Sequence, residues 1–167
     1  MTTGETMTAV SSGTRDHPGV IAPPPLIFAG FLAAGVLSDR YVSGWSLQLP
    51  VFAAQAMAVL LGGAGLVFLA GALGLFRRAG TRPEPWQPTT AIVTGGVYRV
   101  TRNPMYVGIS LVCAGLALTF GSPLALALLP VAVMVIHRGV ILREERYLEE
   151  KFGAEYLAYK ARVRRWL

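Results

Sequence analysis

The chain has 167 residues, a length that usually means one domain. Apolar residues make up 53% and charged residues 14%, where a soluble domain carries about 25% charge. No Asp, Glu, Lys or Arg occurs between Arg40 and Arg77 or between Arg102 and Arg138, and a third charge-free stretch runs from His17 to Ser38. Roughly 20 apolar residues suffice to cross a bilayer. An ordinary water-soluble protein is excluded, and an all-α integral membrane protein is expected.

The net charge of +6 does not point to nucleic acid. Thirteen of the fifteen Lys and Arg lie at or after Arg77, flanking apolar stretches as cytoplasmic loops do. The one cysteine, Cys113, sits in an apolar run, so no intramolecular disulfide or cysteine cluster can form. His17 and His137 are too far apart in sequence to argue for a metal site. Neither a P-loop nor a G-x-G-x-x-G motif is present.

In chain order, residues 1–19 are rich in Thr, Ser and Gly and read as a flexible tail. Residues 20–167 read as a single membrane-embedded domain. The first span is expected at about 20–38, opened by Pro23, Pro24 and Pro25, because proline is tolerated in a first helical turn. A polar connector over 39–48 follows, and Pro50 marks the start of a second span over about 51–76. Ala54, Ala58 and Gly62, then Ala70 and Gly74, recur every four residues there, a stripe that permits close helix packing or a homodimer. Gln55 is expected to face another helix. The arginine-rich loop after Arg77 reads as cytoplasmic, with a structured, non-helical segment over 81–90 rich in proline. A third span is expected at about 105–120, a tight turn at Gly121 and Pro123, and a fourth span at about 124–138 with a kink at Pro130. A cytoplasmic amphipathic helix is expected over about 142–162, with Leu148, Phe152, Tyr156 and Tyr159 on one apolar stripe. The expectation is about four transmembrane helices plus this C-terminal helix, a multi-pass membrane protein with both termini in the cytoplasm.

Two clusters stand apart from the needs of membrane crossing. One is Gly95-Gly96-Val97-Tyr98-Arg99 through Thr101-Arg102-Asn103-Pro104-Met105-Tyr106-Val107-Gly108, just before the third span. The other is Arg143-Glu144-Glu145-Arg146-Tyr147, just after the fourth. A hairpin of the third and fourth spans brings both to one membrane face. Acidic groups at a membrane boundary are costly unless paired or used. By charge alone, they could equally balance arginines that anchor at lipid headgroups.

These blocks, with Phe152-Gly153-x-Glu155-Tyr156-x-x-Tyr159, resemble the isoprenylcysteine carboxyl methyltransferase family. They are also similar to the related phospholipid N-methyltransferases. The resemblance covers about 81–167. Asn103 stands where the carboxyl methyltransferases usually have His, and Asn-Pro-Met-Tyr is more similar to the phosphatidylethanolamine enzymes. The resemblance implies S-adenosyl-L-methionine as methyl donor, bound at the cytoplasmic membrane face, and a lipid or isoprenoid acceptor that enters from the bilayer. It implies a cofactor site of Gly95, Gly96, Tyr98, Arg102, Asn103, Pro104, Tyr106, Gly108, Glu144 and Glu145, with Arg102 and Glu144 as catalytic candidates. The chemistry suits these residues: an arginine takes a carboxylate, a glutamate takes ribose hydroxyls or an ammonium, and tyrosines offer a π face to a cation. Since neighbouring helical residues point about 100° apart, one of Glu144 and Glu145 is expected to face the ligand. A nicotinamide-dependent membrane reductase and a non-enzymatic assembly or transport subunit are the alternatives.

Overall fold

The computed structural model describes residues 19–81 and 89–167. The tail expected over 1–19, apart from Gly19, and most of the segment expected over 81–90 lie outside the described residues. Proline sets where each long helix begins. α1 (Pro24–Ser38), α3 (Pro104–Thr119) and α4 (Pro123–Ile136) carry Pro in their first turn, and α2 (Val51–Arg78) starts directly after Pro50. The missing proline N–H falls where a helix has no partner for it anyway. Among the described residues there is no strand.

The four helices run back and forth along one bundle. At one end, Asp39 meets Ser122 and Leu124, and the Leu47 N–H donates to the Gly121 carbonyl at 2.9 Å. At the other end, the 3₁₀ turn Gly96–Arg99 lies against α2, and the Arg143 guanidinium reaches the carbonyl of Gly19 at 2.7 Å. The expected hairpin of the third and fourth helices is present, turning at Gly121 with φ +63°.

Three helical runs are long and apolar enough to cross a membrane: Pro24–Ser43, Val51–Arg78 and Pro123–Phe152. The helix expected as the third span, α3, is apolar but shorter than these three. At 16 residues it is about 24 Å long, short of a hydrocarbon core of about 30 Å. Its start is fixed by Asn103-Pro104 and its end by the turn at Gly121. It lies along α2 at very close range: a Cβ on Gly65 would sit 2.6 Å from the Gly108 carbonyl oxygen, and one on Gly115 would sit 2.8 Å from that of Ala58. Part of the small-residue stripe, Ala58 and Gly62, is thus occupied within the chain, together with Gly65. A homodimer would have to use other residues. The outer face of α2 is apolar, with Phe52, Val59, Leu60, Leu66 and Val67 each more than 60% exposed. Gln55, expected to face another helix, is exposed on α2 instead.

The connectors also differ from expectation. Asp39–Ser43 prolongs α1 as a π-helical turn rather than opening a polar loop. No break follows the fourth span either. A π-helical turn, His137–Ile141, joins α4 directly to α5 (Leu142–Phe152). A helix satisfies its backbone groups internally in lipid and in water alike, so it can run on past the apolar stretch. The wider turn keeps Gly139, Val140 and Ile141 all buried. Gly139 lies directly against the Ile21 side chain, which would have to move aside for a Cβ there. The whole run Pro123–Phe152 is about 45 Å long, so its charged part beyond Arg138 projects past the hydrocarbon. The helix expected over 142–162 breaks at Gly153, whose φ of +52° and ψ of −123° suit only glycine, and α6 (Ala154–Arg162) turns back. The expected stripe survives the break: Tyr156 and Tyr159 are buried with Tyr98 and Ala72, and Leu148 and Phe152 pack beside them.

Candidate active site

A cavity opens where the arginine-rich end of α2, the segment 89–106, α5 and α6 converge. One side is apolar, formed by Phe76, Ile92, Val93, Met105 and Leu148. The other is polar, formed by Arg102, Asn103, Tyr106, Glu144, Glu145 and Tyr147. Tyr98, Tyr156 and Tyr159 complete the lining.

Arg102 lies just before Asn103, the N-cap of α3, and its side chain is only 8% exposed. Its Nη2 lies 3.3 Å from Oε1 of Glu145. Its Nε and Nη1 are buried and have no hydrogen-bond partner among the described residues. An unmatched buried donor carries a desolvation penalty, greater when the group is charged. Native interiors rarely leave one without a reason.

Both glutamates line the cavity, although one had been expected to face it. The site sits against the edge of α5, within reach of two successive side chains, and each has a different environment. Glu144 accepts the Tyr106 hydroxyl on both oxygens, at 2.8 and 3.0 Å. Burial pushes its carboxyl up to about 7, against the opposing effect of that hydrogen bond. Glu145 is also buried, which by itself raises a carboxyl. The Arg165 hydrogen bonds and the charges of Arg102 and Arg165 outweigh this and hold it below the ordinary range. The two neighbours therefore differ in protonation near neutral pH, the arrangement that separates an acid–base group from a fixed charge. Burial raises the phenols of Tyr98, Tyr156 and Tyr159, so they stay neutral.

Local structure explains the positions. The Tyr98 N–H donates to the Gly95 carbonyl at 3.0 Å, closing the 3₁₀ turn, and the Tyr159 hydroxyl donates to the Tyr98 carbonyl at 2.8 Å. Asn103 donates from Nδ2 to the Arg165 carbonyl at 3.0 Å. The Tyr147 hydroxyl accepts from the Thr89 N–H at 3.3 Å and from Lys151 Nζ at 2.9 Å, which ties the 89–93 segment over the cavity.

Seven of the ten expected site residues come together: Tyr98, Arg102, Asn103, Pro104, Tyr106, Glu144 and Glu145. Gly95, Gly96 and Gly108 do not line the cavity. Gly95 and Gly96 shape the turn, with Gly96 at φ +52° and close to Leu75. Gly108 serves the α2–α3 crossing, where a Cβ would approach the Gly65 carbonyl oxygen at 2.8 Å. Arg99, part of the same motif, is exposed. Sequence reasoning missed Phe76, Ile92, Val93 and Tyr147 as lining, and Arg165 as a partner of Glu145. The apolar stripe was the available signal for Leu148, Tyr156 and Tyr159.

A family model described as phospholipid methyltransferase matches residues 53–155. An uncharacterised protein of Haemophilus influenzae is 44% identical over 63 residues, covering 38% of this chain and 100% of that protein. The chain is 33% identical over 72 residues to protein-S-isoprenylcysteine O-methyltransferase B of Arabidopsis thaliana, covering 43% of this chain and 36% of that protein. It is 36% identical over 72 residues to protein-S-isoprenylcysteine O-methyltransferase of Saccharomyces cerevisiae, covering 43% of this chain and 30% of that protein. The match thus spans about a third of the length of these two methyltransferases. No solved structure matches the chain.

Proposed function

The chain belongs to the phospholipid methyltransferase family, and we propose that it transfers a methyl group from S-adenosyl-L-methionine to a lipid or isoprenoid acceptor embedded in the membrane. The observation that carries this reading is the pair of buried, unmatched nitrogens on Arg102 in the wall of the cavity. Such donors fit an anionic group, and the cofactor carries a carboxylate. Its other parts suit the remaining lining: the tyrosines can take an aromatic ring or face a cation, and Glu144 can accept from an ammonium or a hydroxyl. When bound, S-adenosyl-L-methionine supplies an electrophilic methyl group on a sulfonium.

The chain's own residues supply orientation and proton handling. Arg102 would hold the carboxylate, and anchoring the cofactor there would serve alignment, the main lever on such a displacement. Glu144, with a carboxyl poised near pH 7, is matched to removing a proton from an acceptor at neutral pH. A carboxylate acceptor needs no such base, so Glu144 favours an acceptor that carries a proton, an amine or a hydroxyl. Tyr106 orients the Glu144 carboxylate. The apolar side formed by Phe76, Ile92, Val93, Met105 and Leu148 suits the chain of a lipid next to its reacting headgroup.

This end of the bundle also carries Arg77, Arg78, Arg99, Arg138, Arg143 and Arg146. By the positive-inside rule it faces the cytoplasm, together with Gly19 and the C-terminal segment that pack at this end. The test is calorimetry of the detergent-purified protein with S-adenosyl-L-methionine, with a reduced nicotinamide cofactor as control, repeated on Arg102→Gln. Saturable binding of the sulfonium cofactor that Arg102→Gln loses supports the reading. Binding of the nicotinamide alone would replace it with a reductase, and binding of neither by folded protein with a non-enzymatic role.

A further inference from the structure

We propose that Arg165, in the segment after α6, is a positioning residue that keeps the Arg102 guanidinium open to an anionic ligand by holding Glu145 away from it. The proposal rests on the reading of Arg102 given above and extends it to a residue that does not itself line the cavity.

Two arginines share one buried carboxylate, and they share it unequally. Arg165 engages both oxygens of Glu145 as a fork, Nε to Oε1 at 2.9 Å and Nη2 to Oε2 at 2.7 Å. These are the lengths of strong charge-assisted hydrogen bonds. Arg102 has a single contact to the same carboxylate, at 3.3 Å. The Glu145 side chain is only 7% exposed, so water cannot replace a lost partner, and a buried charge without a partner is strongly disfavoured. If Arg165 were removed, the nearest donors would be those of Arg102, two of which are unmatched. Glu145 would close on Arg102 and fill them. With Arg165 present, two guanidinium groups face Glu145, and one positive charge is left over beside the cavity.

The backbone fixes Arg165 relative to the very residues it controls. The Arg102 N–H donates to the Arg164 carbonyl at 2.9 Å. The Thr101 hydroxyl and the Asn103 amide donate to the Arg165 carbonyl at 2.9 and 3.0 Å. Trp166 packs into the apolar cluster of α1, α3 and α4, its ring 6.3 Å from that of His137. The 163–167 segment is therefore strapped along the residues that carry Arg102, and it lies outside the 53–155 region matched by the family model.

The experiment measures S-adenosyl-L-methionine binding by calorimetry to the wild type, Arg165→Gln, Arg165→Lys and the double variant Arg165→Gln/Glu145→Gln, all as full chains in one detergent. Arg165→Gln is expected to weaken binding at least tenfold, and Arg165→Lys to recover part of the loss by restoring the charge. The double variant, with no carboxylate left to capture Arg102, is expected to bind at least threefold more tightly than Arg165→Gln. A merely structural role for Arg165 predicts no such recovery. Wild-type affinity in Arg165→Gln, or a double variant no tighter than it, overturns the proposal. If Arg165→Gln does not purify, Arg165→Lys takes its place as the single variant: a loss of affinity that the double variant recovers at least in part supports the proposal, and no loss or no recovery overturns it. Failure of the wild type to bind would instead overturn the reading of the site as a cofactor pocket.

Discussion

The two ends of the helical bundle each bury a charged side chain where helices meet, and they treat it in opposite ways. At the far end, Asp39 is matched all round: Oδ2 accepts from the Ser122 hydroxyl and from the Leu124 N–H at 2.9 Å, and Oδ1 accepts from the Ser43 hydroxyl at 3.0 Å. Its donors are neutral, and they come from the helix start it caps and from its own π-helical turn. At the arginine-rich end, Arg102 has one long contact and two buried nitrogens without a partner. Both arrangements cost desolvation, but only the first recovers it inside the chain. A saturated buried charge fixes a fold; an unsaturated one beside a cavity is where the proposed anionic ligand would be held.

Arg102→Gln puts the greatest strain on that contrast. It is expected to weaken S-adenosyl-L-methionine binding by a factor of about 100 or more, the scale of a lost charge-assisted contact of ~3 kcal/mol. The melting temperature in detergent should hardly change, since few internal contacts are lost. A variant that binds normally but melts many degrees lower would make Arg102 the equivalent of Asp39, and the contrast would disappear.

Glu144 comes next. With its carboxyl raised to about 7, turnover should rise with pH up to about 7 and level off above it, as the base loses its proton. Glu144→Gln should lower kcat by roughly 100-fold or more and flatten that rise while leaving a folded protein. Stability should run the other way. A group whose folded value lies above its ordinary value of 4.5 favours the fold while protonated, and that contribution declines as pH climbs from about 4.5 to 7. A melting curve that gains stability over this interval, in a protein whose Glu144→Gln variant shows the same gain, would remove Glu144 from the argument.

Tyr106→Phe is a smaller perturbation of the same pair. It deletes the hydroxyl that Glu144 accepts at 2.8 and 3.0 Å, a bond that favours the ionised carboxylate. The rise of turnover should move to higher pH, with a loss of about tenfold at pH 7. An unmoved profile would show that Tyr106 only packs.

Much of this contrast could be read from the sequence, for physical reasons that also mark where reading stops. Charge-free runs and prolines at first turns are local signals, so the helix starts at Pro24, Val51, Pro104 and Pro123 were legible. The hairpin at Gly121 then brought Arg102 and Glu144 together without any contact being known. The three expected glycines were assigned to the wrong surface because a missing side chain looks the same in sequence whether it admits a ligand or a helix, and Gly108 admits α2. Helical periodicity predicted an unbroken helix over 142–162, yet a single glycine at 153 with positive φ ends it. The π-helical turns at Asp39–Ser43 and His137–Ile141 left no signal, since they answer to tertiary packing. In the basic run Arg162–Leu167, Arg162 and Arg164 are exposed. Nothing local reveals that Arg165 reaches Glu145, twenty residues back.

The smallest effect on binding belongs to Asp39, and it makes the control that sharpens the comparison. In Asp39→Asn one carboxylate oxygen becomes an NH₂ group. At Oδ2 that group would face a hydroxyl and the N–H of Leu124, leaving the first turn of α4 without its acceptor; at Oδ1 it would face the Ser43 hydroxyl. The cost falls on the α1–α4 junction, so the melting temperature should drop by several degrees. The site lies at the opposite end of the bundle, and its arginines and glutamates make no contact with this cap, so S-adenosyl-L-methionine affinity should stay within twofold of the wild type. Distant, unshared sites add independently. A tenfold loss of affinity in a folded Asp39→Asn protein would mean that α4 transmits its N-terminal cap to Glu144 and Glu145 through the continuous run to Phe152, and the two ends would have to be treated as one coupled device.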